Sequence, residues 1–268
     1  MVDIHSHILP RFDDGAKNIE ETLDMVKIAK KEGFSKIIAT PHYIEGAYIT
    51  NKEKLVDTIA MVNEVLKEKS IDMEILPGNE VYISHNLPQL LKNKEILTLN
   101  NGPYVLLELP MGDIPMYTED ILYEVRLLGY KPVIAHPERY VKIMENPNYL
   151  KFLIEQGNYV QMNSLSITGG FGERVKKTAE ILLRHRMVHF IGTDAHSPRT
   201  RAPKISYALD QMREWIGNEA VYNMVQNGIK LTKGEEVYIP QPLHYVQNKG
   251  FAGKVRSLFA FEKKRVYG

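Results

Sequence analysis

Cysteine is absent from this chain of 268 residues. Its absence removes disulfides, thiolate-ligated metal sites and every mechanism in which a cysteine attacks the substrate. An excess of one charge is also missing: 34 Lys and Arg face 33 Asp and Glu, a formal net charge of +1. No overall field draws the chain toward nucleic acid or a membrane surface, so a charged partner must be met by a local cluster. No segment holds 18 consecutive apolar residues, and Met1 leads straight into VDIHSH with neither a basic region nor a hydrophobic signal core. A cytoplasmic protein with no membrane insertion is expected. Tandem repeats and low-complexity segments are lacking too.

What is present is a regular alternation. Hydrophobic residues make up 44% of the chain, enough for one large core, and an α/β barrel of ordinary size fits the length. Seven apolar or β-branched runs recur: VDIHSH (2–7), KIIATPH (36–42), MEILPGNEVYI (73–83), YVLLELP (104–110), KPVIAHPER (131–139), YVQMNSL (159–165) and VHFIGTDAH (188–196). Stretches with helical period lie between them, which predicts repeated βα units around a parallel sheet. NIEETLDMVKIAKKEGF, for example, sets Ile19, Leu23, Val26 and Ala29 on one stripe, with Lys30 and Lys31 in the last turn. After Pro240 the alternation fails. Residues 241–268 read as a basic and aromatic appendage to a domain spanning 1–240, with Phe251, Phe259 and Phe261 among Lys254, Arg256, Lys263, Lys264 and Arg265.

In a parallel α/β barrel, sites form where the C-terminal ends of the strands and their loops converge. His5 and His7 end the first run, His42 the second, and Glu80 lies late in the third. Glu108 ends the fourth, His136 and Arg139 the fifth, and Asp194 with His196 the seventh, while Asp13 and Asp14 follow the first in PRFDDG. His5 and His7, two apart on a strand, share a face. Five of the nine histidines thus fall at strand ends among carboxylates. Uncompensated buried carboxylates are costly, whereas divalent cations neutralise them and accept imidazole and oxygen together, so a multinuclear metal site is predicted. His85, His185, His189 and His244 are given no chemistry.

His-x-His on the first run, His ending the second, Glu in the third, His in the fifth and Asp-x-His in the seventh together resemble the polymerase and histidinol phosphatase (PHP) superfamily. DIHSHILPRFDDG, ATPH, GNEVYI, VIAHPERY and GTDAHSPRTRAP resemble, within it, the bacterial metal-dependent protein-tyrosine phosphatases of the YwqE/CpsB type. The resemblance implies a distorted seven-stranded (β/α)7 TIM-like barrel with a trinuclear centre. By motif, His5, His7, Glu80 and Asp194 would hold a first metal. Glu80 would bridge to a second held by Glu108 and His136, and Asp14, His42 and His196 would hold a third. Phosphate-binding arginines match Arg139 and either Arg201 or the nearby Arg199. Manganese is the implied metal, with iron or zinc also compatible with the donor set.

Three divalent ions would outweigh the four carboxylates Asp14, Glu80, Glu108 and Asp194, and the surplus, with the arginines, suits a phosphate dianion. Phosphotyrosine is an easy substrate because its phenol leaves with a conjugate-acid pKa of about 10. A water on the centre or His42 could act as general acid, or none is needed. The implied partner is a phosphotyrosine protein, a bacterial tyrosine kinase tail of exopolysaccharide or capsule synthesis. The alternative is a small-molecule phosphomonoesterase such as histidinol phosphatase, sharing the centre and differing in what the loops admit. An amidohydrolase would need a bridging lysine where YVLLELP offers Glu108.

Overall fold

A computed structural model describes residues 1–246. The strands are β1 (Val2–Ser6), β2 (Lys36–Ala39), β3 (His42–Tyr43), β4 (Glu74–Pro77), β5 (Glu80–Tyr82), β6 (Tyr104–Glu108), β7 (Lys131–Ala135), β8 (Tyr159–Asn163) and β9 (Phe190–Gly192). Every ladder among them is parallel. They form two sheets, β1-β2-β4 and β3-β5-β6-β7-β8-β9. Of the expected seven-stranded barrel, the parallel α/β arrangement is met. The second and third runs each divide in two, around Thr40-Pro41 and Gly78-Asn79, giving nine strands and no continuous closed ladder among the described residues. Pro41 has no N–H to give a ladder, which is a physical reason for the first break. Where β1 passes β9, the contact is an isolated bridge between Ser6 and Ala195. Backbone bonds from Asp194 N to His5 O (2.8 Å) and from His7 N to Ala195 O (2.8 Å) flank it.

Helices cover the outside as the periodicity predicts. Ile19–Lys31 starts at Asn18, whose side chain accepts from Glu21 N, and carries Glu20 and Glu21 at its positive end and Lys30 and Lys31 at its negative end. Lys52–Glu68, Thr118–Leu127, Pro147–Glu155 and Glu173–Arg184 follow β3, β6, β7 and β8 in the same way. Their buried stripes pack on Ile37, Ile75, Val105, Leu107, Ile134, Val160 and Ile191. The opposite strand faces form a second cluster, with Val2, Ile4, Ile38, Leu76, Tyr104, Leu106, Val133, Tyr159 and Phe190. Burying each such side chain contributes about 1.5–3 kcal/mol, the gain that must offset the polar burial described next.

The expected appendage lies mostly outside the described residues, its Phe251, Phe259 and Phe261 and its lysines and arginines among them. Residues 241–246 follow the body: Leu243 N donates to His185 O, and Tyr245 exchanges backbone hydrogen bonds with the Asn148 side chain.

Candidate functional site

The inward rows of the strands become polar at their C-terminal ends. In β6 the row runs Tyr104, Leu106, Glu108, and in β8 it runs Tyr159, Gln161, Asn163. In β1 the row changes parity. Val2 and Ile4 join the inner cluster, then His5 and His7 point to the site, and the pairing with β2 shifts register between Asp3 and Ser6. A bulge of this kind re-aims a side chain. His136 after β7 (φ 32°) and Asp194 after β9 (φ 52°) are aimed by left-handed backbone, which costs of order 1–3 kcal/mol at a non-glycine residue and persists where surrounding structure enforces it.

Each first-run imidazole is fixed from behind. His5 Nδ1 meets Gln161 Oε1 at 2.9 Å and His7 Nδ1 meets Asp13 Oδ2 at 2.6 Å, so both Nε2 atoms face inward. Asp13 also accepts from His42 N (2.9 Å) and Gly15 N (3.0 Å). The loop lies so close on β1 that a Cβ at Gly15 would come 2.1 Å from His7 O, so only glycine fits there. Tyr140 donates to Ala135 O (2.7 Å) and accepts from Leu109 N (2.9 Å), bracing the ends of β7 and β6 that carry His136 and Glu108.

Three sets of donor atoms converge, each within 4.8 Å of one another: His5, His7, Glu80 and Asp194; His7, Asp14, His42 and His196; and His42, Glu80 and Glu108. His136 Nε2 joins the third set's carboxylates, 2.9 Å from Glu80 Oε1 and 3.7 Å from Glu108 Oε1. His7 and His42 therefore stand in more groups than the motif implied. In the first set, His5 Nε2 and His7 Nε2 lie 3.3 Å apart. Glu80 Oε2 is 3.3 and 3.2 Å from them, and Asp194 Oδ1 is 3.4 Å from both. A tetrahedron of ligands about 2.0–2.1 Å from its centre has edges of about 3.3–3.4 Å, so these four atoms fit one ion. Glu80 Oε2, Asp194 Oδ1, His42 Nδ1 and His136 Nδ1 are buried without a hydrogen-bond partner. Such orphans are costly, and for the first three a cation removes the cost.

The electrostatics agree. Burial would raise Glu80 and Asp194, yet His5 above all holds both carboxyls well below the usual range. Glu108 is pushed up to about 7, by burial first and by the charge of Glu80 second. Burial would lower His5 and His7, but Glu80 and Asp194 raise the first and Asp13 raises the second. The proton affinity of these rings reports the negative field a metal would meet, and a metal would displace the protons.

A cavity of about 200 Å³ opens onto this cluster, lined by Asp14, His42, Glu80, Glu108, His136, Asp194 and His196 together with Arg139 and Arg201. Arg199 points elsewhere, 80% exposed and 3.7 Å from Glu21. Arg139 Nη1 (3.2 Å) and Arg201 Nη2 (2.7 Å) both donate to Asp194 Oδ2, so the arginines are tied to a candidate ligand rather than independent of the centre. Asn163 Nδ2 donates to the same oxygen (2.7 Å), and Asn163 Oδ1 accepts from Gln161 Nε2 (2.9 Å). A larger cavity, about 460 Å³, lies between Leu183, Trp215 and Tyr238 and holds none of these groups. Asp13, Gln161, Asn163 and Tyr140 went unassigned in the sequence. Polar residues at alternate positions of the apolar run YVQMNSL were the available signal.

Comparison with known proteins follows the same line. The family described as "Capsular polysaccharide synthesis, CpsB/CapC" matches residues 1–241. Tyrosine-protein phosphatase YwqE of Bacillus subtilis is 35% identical over 97% of this chain and all of its own. Tyrosine-protein phosphatase CpsB of Streptococcus pneumoniae is 35% identical over 81% of this chain and 91% of its own. A crystal structure from work on YwqE and CpsB, described as metal-dependent tyrosine phosphatases, superposes with a TM-score of 0.89 at 35% identity, covering 92% of this chain and all of that one. A histidinol phosphate phosphatase of Lactococcus lactis matches at 16% identity and a TM-score of 0.54, over 82% of this chain and 94% of its own, a likeness of fold alone. With the family matched over nearly the whole described chain and relatives matched end to end, this chain belongs to the CpsB/CapC family of capsular polysaccharide synthesis.

Proposed function

We propose that this chain is a metal-dependent protein-tyrosine phosphatase that hydrolyses phosphotyrosine with water, without a covalent enzyme intermediate. The observation that carries the reading is the cage of His5, His7, Glu80 and Asp194, with its orphaned oxygens, opening beside two arginines. His5, His7, Glu80 and Asp194 would hold one ion; Glu80, Glu108 and His136 a second; Asp14, His42 and His196 a third. Divalent ions, manganese in this proposal, supply electrophilic activation of the phosphate and lower the pKa of water.

The chain's own residues do the rest. Arg139 and Arg201 bind and orient the phosphoryl oxygens through planar N–H forks. Gln161 and Asp13 keep His5 and His7 in one orientation, so the centre need not reorganise during reaction. The departing phenolate, with a conjugate-acid pKa of about 10, asks little help from a proton donor, and both ring nitrogens of His42 face the donor cluster. The nine strands are read as a distorted seven-unit barrel, supported by the spatial order of the seven runs and the Ser6–Ala195 bridge. Residues 1–240 form the catalytic domain and 241–268 an appendage. The partner is a phosphotyrosine protein, a tyrosine kinase tail of capsule or exopolysaccharide synthesis, met in the cytoplasm. Among the described residues no helix is long and apolar enough to cross a membrane.

Chelator-treated protein should lose phosphotyrosine-peptide hydrolysis and regain it best with Mn²⁺, compared with Fe²⁺ and Zn²⁺. Full activity without metal, or a preference for histidinol phosphate over the peptide, would overturn the reading.

A further inference from the structure

Phe171 is a half-buried aromatic residue that belongs to neither apolar cluster of the described residues. It sits between helices Ser164–Ile167 and Glu173–Arg184, in the loop Gly169-Gly170-Phe171-Gly172. Gly169 (φ 86°) and Gly172 (φ 94°) have left-handed backbone that other residues adopt only with strain, so the loop's shape is built by sequence. Its ring meets the two arginines of the cavity. The Arg139 guanidinium carbon is 4.6 Å from the ring centroid and that of Arg201 is 5.8 Å away.

Two like charges aimed at one carboxylate oxygen repel each other and must be held. A ring face attracts a guanidinium by its quadrupole while leaving the in-plane N–H donors free. One of those donors is waiting: Arg201 Nε is buried with no hydrogen-bond partner, although Nη2 of the same group is on Asp194. The arginines therefore have donors to spare for an anion.

We propose that Phe171 is a positioning residue for phosphate, its π face holding Arg139 and Arg201 together so that their N–H edges address the phosphoryl oxygens. This rests on the phosphatase reading above. The group captured is the phosphate itself, so the effect is the same for any phosphate monoester and for inorganic phosphate.

Calorimetric titration of inorganic phosphate into the Mn²⁺-loaded full chain tests it without turnover, with metal content and the KM for a phosphotyrosine peptide measured alongside. Phe171→Ala and Phe171→Leu should each weaken phosphate binding roughly five- to tenfold and raise KM in proportion, at unchanged metal content. Phe171→Tyr and Phe171→Trp, which keep a π face, should stay within about twofold of the parent. Phe171→Met serves as a second aliphatic variant should Leu perturb folding. Parental phosphate affinity in the aliphatic variants, or metal loss in Phe171→Ala, would overturn the proposal. A parent that binds phosphate yet ignores the peptide would instead overturn the substrate reading and leave Phe171's role standing.

Discussion

The two ends of the inward rows bury equally and contain opposites. At one end Tyr104 meets Tyr159 and Phe190 edge to face, with ring centroids 5.3 and 5.9 Å away. At the other, His5, His7, Glu80 and Asp194 are just as inaccessible. Histidine shows what separates them. His189, at the apolar end, is lowered to about 3 by burial alone, while His7, equally buried, is raised well above its ordinary value because Asp13 and its neighbours overcome burial. Burial does not set the charge of a group; its partners do. The polar end is stable only with its charges balanced, and that requirement is what a metal would meet.

Glu80→Ala should break this comparison most severely. It removes the carboxylate common to two donor sets, and phosphotyrosine turnover should fall by about 10³-fold or more, with metal content reduced. Elemental analysis beside steady-state kinetics checks it, and retained metals with normal turnover would end the bridging role. Next come Arg139→Ala and Arg201→Ala. Each should raise KM for a phosphotyrosine peptide by roughly 10- to 100-fold, the scale of a lost charge-assisted contact. Metal affinity should drop only a few-fold, roughly, since Asn163 still donates to Asp194 Oδ2. An equal loss of metal and substrate affinity would show that the arginines serve the centre rather than the phosphate.

Gln161→Ala should act through His5 and weaken metal binding by roughly 10-fold or more, readable by competition with a chelator. Unchanged affinity would mean that the amide packs rather than orients. The smallest effect at neutral pH belongs to the apolar end. His189 has its folded pKa lowered from 6.5 to about 3, so its contribution to stability is fully present above pH 6.5 and is lost as pH falls toward 3. In that window the slope attributable to His189 approaches about 1.4 kcal/mol per pH unit. His189→Asn, which can still accept from Val160 N, should flatten the acid side of a denaturation series and leave pH 8 stability nearly unchanged. Parallel pH profiles for the parent and the variant would refute this.

Read in order along the chain, the residues announced most of the site and less of the frame. Every proposed metal ligand except Asp14, which lies in the loop after the first run, stands at or near the end of an apolar run, because strand periodicity and the convergence of strand ends are local properties that a sequence displays. The division of two of the runs is not legible in the sequence because a proline or glycine inside an apolar run can be a kink or a ladder break, and only the hydrogen-bonding neighbours decide. Arg199 and Arg201 looked alike for a similar reason: two residues apart, they face Glu21 and Asp194 respectively.

The sequence by itself determined that imidazoles and carboxylates gather at the ends of the apolar runs, that strands and helices alternate in a parallel α/β order, and that cysteine chemistry is excluded, since each follows from residue identity and period. Tertiary structure alone decided that Gln161, Asn163 and Asp13 stand behind the ligands, that both arginines share one oxygen of Asp194, and that Phe171 faces them. These are contacts between residues up to 156 positions apart. Their energies depend on distance and orientation in space, which no local pattern encodes.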